Sequence, residues 1–196
     1  EEYNAYFLDD VDGKANGVAI DCRQLPKAIM TGLGFADFDM EGRYIQADYE
    51  NLSVACLLAP SAETGNAEQQ DRKNEFYGLL GSHLQKIRNK RREFIICGNW
   101  HLAHCPADMQ NSQESATQSG FLAEERQWIN EVLDAVKDYN HQLYLCCLMT
   151  YGCLLRPHRE IRELTWSDFS EDLRYIHLSG NRNKSGRNRI VPVPSY

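Results

Sequence analysis

The first 135 residues alternate short apolar runs with turn residues. Four runs predict strands, at 17–22, 43–48, 52–58 and 93–98. Between the last two, apolar positions recur at helical spacing from Glu68 to Lys90, at Phe76, Leu79, Leu80, His83, Leu84 and Ile87. A second helix is predicted from about Ala123 to Leu133, burying Trp128, Ile129 and Val132. The order of strand, helix and strand predicts an α/β sandwich layer.

Residues 136–196 follow a different pattern. An apolar stretch from His141 to Leu155 predicts a buried helix. Pro157 breaks that helix, and helical spacing resumes from Glu160 to Leu164. Two further runs predict a β-hairpin with a cationic turn, the strands at 173–178 and 189–193 and the turn at 181–188. Prolines in the second run place that strand at a sheet edge.

The charge of the chain also divides near Ala135. The 196 residues carry a net charge of −7, but residues 1–135 hold 22 acidic and 12 basic side chains. Residues 136–196 hold 6 acidic and 9 basic side chains. Such asymmetry indicates different partners for the two parts. We therefore expect two domains, 1–135 and 136–196.

Composition excludes several classes of protein. No stretch reaches the roughly 20 apolar residues of a membrane span, and the first residues lack a signal-peptide pattern, which predicts a cytoplasmic protein with no membrane partner. Seven cysteines without regular spacing do not form a disulfide framework. One group has metal-binding residue types at spacings that fit no common zinc site: Cys97, His101, His104 and Cys105. We expect no metal and no cofactor.

Several motifs in the first part resemble the exonuclease III branch of the endonuclease/exonuclease/phosphatase family in order and spacing. They are Gly17-Val18-Ala19-Ile20, Gly32-Leu33-Gly34-Phe35, Glu41-Gly42-Arg43-Tyr44-Ile45-Gln46-Ala47-Asp48, the segment from Cys97 to His104, and Gly120-Phe121-Leu122-Ala123-Glu124-Glu125-Arg126. In active members the block that resembles Gly98 to His101 reads Gly-Asp-Trp-Asn. The aspartate positions the attacking water there, and the asparagine stabilises the charge of the phosphorane-like transition state.

The site residues implied by this resemblance are substituted. Asn99 and His101 stand in place of the aspartate and the asparagine, and Leu58 stands in place of a tyrosine beside the scissile phosphate. An amide cannot act as a base near neutral pH, so the substitutions argue against hydrolysis. His104 is unchanged and is interpreted as a packing histidine. The family's metal-binding glutamate and its Asp-His pair are expected in segments outside these residues.

The same substitutions resemble a silent branch of the family, the catabolite repression control proteins. That resemblance implies post-transcriptional regulation, with RNA and an RNA chaperone as partners. It also includes a basic run at Lys90, Arg91 and Arg92, which with Lys86 and Arg88 forms a dense cationic segment. Such a run is suited to phosphate binding. The alternative is a solvated helix end, where basic side chains are favoured.

The second part resembles the catalytic domain of tyrosine recombinases, the phage integrase family. The resemblance rests on the segments from Leu155 to Phe169, from Asn183 to Arg187 and from Ile190 to Pro194. It implies DNA as the partner, with Arg156 contacting phosphate and Lys184 donating a proton, although Arg159 stays open as the phosphate ligand. Arg182 and Arg187 are further candidates for backbone contacts. The nucleophilic tyrosine is expected beyond residue 196.

The predicted fold class is α+β: a partial endonuclease/exonuclease/phosphatase-type α/β sandwich, then a partial tyrosine-recombinase helix plus β-hairpin unit. The leading functional hypothesis is a composite, or chimera, of two truncated nucleic-acid-handling domains without a complete active site, so that the chain is not expected to be an enzyme. Its inherited role would be RNA-binding or partner-binding regulation. The alternatives are a DNA-binding recombinase fragment and a residual metal-dependent exonuclease or AP endonuclease. A composite is expected to unfold with poor cooperativity or to form oligomers.

Overall fold

The computed structural model describes residues 2–13, 16–104, 117–153, 155–183 and 186–193. Its contacts divide the chain into two compact units. The first, the sheet unit, comprises Glu1–Leu102 with Gln118–Gly120, and the second, the helix–hairpin unit, comprises Ala103–Thr117 with Phe121–Tyr196. The division therefore lies at residues 102–121. The boundary expected after Ala135 falls inside a continuous helix, which packs with the segment that follows it.

The sheet unit contains a β-hairpin and a four-stranded sheet. The hairpin pairs β1 (Asn4–Asp9) with β2 (Gly17–Cys22) in antiparallel register. The sheet comprises β3 (Ala28–Thr31), β4 (Tyr44–Asp48), β5 (Leu52–Leu58) and β6 (Glu93–Asn99) in that order. Only the β5–β6 pair is parallel, and the chain crosses between them through α1 (Ala67–Arg88). The four predicted strands are confirmed, and β1 and β3 are additional.

Local sequence signals set the limits of α1. The side chain of Asn66 accepts a hydrogen bond from the Gln69 backbone N–H at 3.1 Å, which satisfies one of the free donors of the first turn. Lys86 and Arg88 lie in the last turn, where cations complement the helix dipole. The predicted apolar face is confirmed at Phe76, Leu80 and Ile87, which are buried, whereas Leu79 is exposed.

His83 on α1 gives the sheet unit a testable dependence on pH. Its ring lies edge-on to Phe35 and Tyr44, with ring centroids 6.4 Å apart in each case. Its Nε2 atom is buried and has no hydrogen-bond partner among the described residues. Burial lowers the pKa of His83, and the charges of Lys90 and Lys86 lower it further. The folded protein therefore favours the neutral ring.

We expect the stability of the protein to fall as the pH falls. Below the usual histidine pKa of about 6.5 the unfolded chain binds a proton that the folded chain resists, so unfolding becomes more favourable. Urea denaturation at about pH 8 and about pH 5.5 measures this difference, and His83→Phe should reduce it. His177→Asn, on an exposed strand position, is the control. An unchanged acid sensitivity in His83→Phe would contradict the prediction.

The helix–hairpin unit begins with two packed helices, α2 (Ala123–Tyr139) and α3 (His141–Cys153). Asn140 separates them, and its Oδ1 atom accepts a hydrogen bond from Leu143 N at 2.9 Å. An antiparallel hairpin follows, with β7 (Tyr175–Leu178) and β8 (Arg189–Pro192). The core of this unit joins the end of α3 to the hairpin through Cys153, Leu155, Ile176, Leu178 and Val191. The predicted helix and hairpin are confirmed, but the helix is not buried as predicted, since Leu143 and Leu145 are 46% and 48% exposed.

One predicted helix of this unit is wrong. Instead of an α-helix at 160–164, the chain forms a single π-helical turn at Pro157–Ile161, in which Ile161 N donates to Arg156 O at 3.2 Å. The carboxylate of Glu160 is buried and accepts hydrogen bonds from Arg156 N and Arg189 Nη2, both at 2.9 Å. The first bond closes the turn, and the second ties the turn to β8 of the hairpin. No helix within the described ranges combines the length and the apolar character that crossing a membrane requires.

Candidate nucleic-acid interface

Three predicted site residues lie together where β5 and β6 end. Because the two strands are parallel, their carboxyl ends meet at one edge of the sheet, and Leu58 pairs in register with Asn99. Ala59 N donates to Asn99 O at 2.9 Å, which continues the pairing beyond the strands. His101 follows two residues later. We call Leu58, Asn99 and His101 the strand-end site.

Hydrogen bonds fix the two polar side chains of the strand-end site. Asn99 Oδ1 accepts a hydrogen bond from the His101 backbone N–H at 3.1 Å. His101 Nδ1 lies 2.8 Å from Ala59 O, and since a carbonyl only accepts, Nδ1 carries the hydrogen. His101 has φ 47°, a left-handed conformation in which histidine and asparagine are over-represented. The site thus presents a neutral amide and an imidazole in fixed orientations.

Two side chains of α1 contact the loop that carries this site. Lys73 Nζ donates to His101 O at 2.9 Å, and the Tyr77 hydroxyl donates to Trp100 O. Both side chains are buried. Neither residue is predictable from the sequence, because each bonds a backbone carbonyl more than 20 residues away and no sequence motif marks such a bond.

A polar cavity of about 200 Å³ adjoins the end of β5. It is lined by Asn16, Glu41, Arg43, Pro60, Ser61, Gln69 and Arg72. Arg43 Nε lies 2.5 Å from one carboxylate oxygen of Glu41, and Arg72 pairs with the other. Arg43 Nη1 also donates to Leu58 O at 3.3 Å, which ties the cavity to the strand-end site. Two guanidinium groups share one carboxylate, so this side-chain cluster carries a net positive charge.

The chain is similar in sequence to several known nucleases. No family model matches the sequence. The exodeoxyribonuclease of Bacillus subtilis (strain 168) is 27% identical over 143 residues, which are 72% of this chain and 56% of that protein. The DNA-(apurinic or apyrimidinic site) endonuclease of Dictyostelium discoideum is 28% identical over 142 residues, 71% of this chain and 39% of that protein. The chain resembles exonuclease III and AP endonucleases.

The fold supports the same resemblance. An AP endonuclease structure from Archaeoglobus fulgidus has a TM-score of 0.58 at 23% identity, over 68% of this chain and 51% of that chain. At this identity the likeness concerns the fold alone, a mixed α+β arrangement of sheets and helices. The exonuclease III-like chain spans little more than half of the Bacillus relative and less than half of the Dictyostelium relative.

A divalent cation is implied by the resemblance to exonuclease III, but the residues of the strand-end site do not fit one. Magnesium and calcium prefer several oxygen ligands, chiefly carboxylates. Leu58 has no donor atom, Asn99 offers one neutral oxygen, and the Nδ1 atom of His101 is bonded to a carbonyl. Within the described part of the chain, no group of three or more His, Cys, Asp or Glu side chains is arranged to hold a metal ion.

His104 and Cys97 of the proposed histidine and cysteine group have surroundings of their own. His104 belongs to the helix–hairpin unit, where its Nε2 atom lies 2.7 Å from Asn130 Oδ1. The interpretation of His104 as a packing histidine stays a prediction. Cys97 is exposed in β6, and Cys105 lies outside the described residues.

The predicted basic run lies at the other end of β6. The strand β6 has seven residues from Glu93 to Asn99, so its two ends are about 20 Å apart. Arg92 bonds the carbonyls of Tyr49 and Glu50, the latter at 3.2 Å, so its guanidinium supports the β4–β5 turn. Lys90 and Arg91 are exposed. Any anion bound by Lys90 and Arg91 is therefore distant from the strand-end site.

The residues that the recombinase resemblance suggests as DNA contacts differ in exposure and in hydrogen bonding. Lys184 lies outside the described residues, Arg156 and Arg187 are exposed, and Arg159 forms an exposed pair with Glu163 at 3.2 Å. Arg182 is different, because both of its terminal nitrogens bond the carboxylate of Asp168, at 2.8 and 2.5 Å. Its Nη1 also donates to Glu163 O at 3.0 Å. The guanidinium of Arg182 thus supports the fold of the hairpin turn.

Proposed function

We propose that this chain binds the phosphodiester backbone of DNA at the strand-end site and the adjoining cavity. The observation that carries the proposal is the placing of Asn99 and His101 beside the cationic cluster of Arg43 and Arg72, at the ends of parallel strands. Amides and guanidinium groups are common ligands of phosphate oxygens. The named activities of the relatives, an exodeoxyribonuclease and an AP endonuclease, favour DNA as the ligand.

Metal-dependent hydrolysis of DNA is the second candidate function, and the activities named for those relatives favour it. Against it stands the chemistry of Asn99, whose amide neither accepts a proton from water near neutral pH nor contributes the charge that a metal ion needs. We therefore expect binding in the presence of a chelator and no cleavage when magnesium is added.

Fluorescence anisotropy with labelled single-stranded DNA, duplex DNA and duplex DNA containing an abasic site tests this proposal. Affinity should fall steeply as salt rises, because each phosphate contact releases counterions. Ser61→Glu places a negative charge in the cavity and should weaken binding about tenfold or more. Ser82→Glu, on the exposed surface of α1, is the matched control and should have little effect.

Three results would change this assignment. Absence of DNA binding, or equal effects of the two glutamate substitutions, would contradict it. Cleavage that requires magnesium and is lost in Asn99→Ala would favour the nuclease.

The regulatory and recombinase interpretations stay predictions that the same assay addresses. An RNA arm tests the regulatory role: preference for RNA that is lost in Lys90→Glu/Arg91→Glu would favour it, since both side chains are exposed and far from the strand-end site. Preference for DNA that is lost in Arg156→Ala would favour the recombinase-like segment. Addition of an RNA chaperone to the RNA arm tests the predicted protein partner.

A further inference from the structure

The helix α1 presents two buried polar side chains to the loop after β6. Lys73 and Tyr77 are one helical turn apart, so they lie on the same face of the helix. They donate hydrogen bonds to consecutive carbonyls, Tyr77 to Trp100 O and Lys73 to His101 O. The Lys73 side chain is 1% exposed. Burial of an ammonium group carries a large cost in free energy unless the group is well hydrogen-bonded. The hydrogen bonds of Lys73 to this loop therefore offset the cost of its burial.

A second segment meets the same carbonyl. Lys73 Nζ lies 3.2 Å from Ser119 Oγ. An ideal Cβ atom on Gly120 would lie 3.1 Å from His101 O, which places this segment directly against the loop. The carbonyl of His101 is thus contacted by α1 on one side and by residues 119–120 on another. His101 is also the residue whose backbone is left-handed. These contacts oppose relaxation of His101 to an ordinary conformation.

We propose that Lys73 and Tyr77 are positioning residues that hold Asn99 and His101 in the orientation that binds a phosphodiester. This inference rests on the function proposed above. The bonds from His101 N to Asn99 Oδ1 and from His101 Nδ1 to Ala59 O both depend on the course of the backbone through Trp100. Holding the two carbonyls fixes that course before the ligand arrives. Such preorganisation increases affinity because the protein loses less conformational entropy when it binds the ligand.

Tyr77→Phe tests the proposal, because it removes one hydroxyl and leaves the ring in place. We expect the affinity for a labelled DNA duplex to fall about fivefold, the order expected from one lost hydrogen bond. Tyr44→Phe is the matched control, since this tyrosine is also buried in the sheet unit and its hydroxyl donates to Gln46 Oε1 at 2.6 Å within β4. Tyr44→Phe should change the unfolding midpoint to a similar extent and the affinity little.

The ¹⁵N NMR signals of the His101 imidazole give a second readout that needs no DNA. In the parent protein Nδ1 carries the hydrogen, and Tyr77→Phe and Lys73→Met should shift the tautomer balance toward Nε2–H, whereas Tyr44→Phe should not. If Lys73→Met fails to fold, Tyr77→Phe still decides the question. An unchanged imidazole signature in Tyr77→Phe, or equal affinity losses in the two phenylalanine variants, would overturn the positioning role. If the parent protein binds no DNA, the proposed function fails and the imidazole signature alone decides whether Lys73 and Tyr77 fix this loop.

Discussion

Replacing Arg182 by methionine is expected to destabilise the protein by about 3 kcal/mol or more. Its guanidinium forms a two-point ion pair with Asp168, at 2.8 and 2.5 Å, and the two side chains are only 18% and 8% exposed. Asp168 Oδ2 also accepts hydrogen bonds from Thr165 N at 2.8 Å and Thr165 Oγ1 at 3.0 Å. Loss of the cation leaves a buried carboxylate without its charge partner, which is the costly way to break an ion pair.

The exposed pair of Arg174 and Asp172 provides the matched control. These groups are 3.8 Å apart, with side chains 78% and 55% exposed, so Arg174→Met should change the free energy of unfolding far less than Arg182→Met does. Urea denaturation of both variants near neutral pH measures the difference. Equal losses in the two variants would contradict a structural role for Arg182.

Acidification gives an independent check on the same pair. The hydrogen bonds from Arg182, together with those from Thr165, hold the pKa of Asp168 well below its usual range. The stabilisation is therefore present above the unfolded pKa of about 3.9 and is lost as the pH falls through the lower folded value. The difference in stability between the parent protein and Arg182→Met should diminish at acid pH.

Periodicity predicted the elements whose buried faces are regular. In β5 buried and less buried residues alternate along the whole strand, and α1 repeats its apolar positions over several turns. The sequences of the two strands that were missed lack such a signal, although exposure alternates along β1 in the structure. β1 carries apolar side chains on both faces and leaves Phe7 70% exposed, and β3 has only four residues. Pairing with a neighbouring strand determines these two elements more than their own pattern does.

Charge was a weaker guide to the organisation of the chain. The balance of acidic and basic residues changes near Ala135, yet α2 continues across this position to Tyr139. Net charge describes the solvated surface, whereas unit boundaries depend on which apolar faces pack together. The same limit applies to Arg182, which the cationic hairpin suggested as a DNA contact. Its carboxylate partner lies 14 residues earlier in the chain, and sequence alone does not indicate that pairing.

The candidate site also combines residues that the sequence predicted with residues that it did not. The motif around Asn99 and its resemblance to nucleases identified Leu58, Asn99 and His101 as candidates. The parallel pairing of β5 with β6 places them together. The supporting contacts from Lys73 and Tyr77 were not predictable, because their acceptors are backbone carbonyls. Arg43 and Arg72 meet through Glu41, a contact across 31 residues between Arg72 and that carboxylate. Tertiary structure alone assembles this cationic cavity.

Gly98 connects the stability of the sheet to the geometry of the site, and Gly98→Ala is expected to destabilise the protein by about 3 kcal/mol. Gly98 has φ 148°, in a region that other residues rarely adopt. An ideal Cβ atom there would lie 1.8 Å from Leu57 O. The obstacle is backbone of the neighbouring strand, so no side-chain rotation relieves it. The two strands must separate at the point where Leu58 pairs with Asn99.

Gly78→Ala is the control for Gly98→Ala, and the two should differ in sign. Gly78 lies within α1, and a Cβ atom there would meet nothing within 4 Å. Alanine at an open helical position stabilises by roughly 0.5–1 kcal/mol, because it lowers the entropy of the unfolded chain and favours the helix. Urea denaturation compares the stabilities, and DNA anisotropy compares the affinities.

Because separation of β5 from β6 displaces Asn99, Gly98→Ala should weaken DNA binding even under conditions where the protein stays folded, whereas Gly78→Ala should bind like the parent. Equal stability of the two variants would show that β6 does not approach Leu57 as closely as the sheet requires.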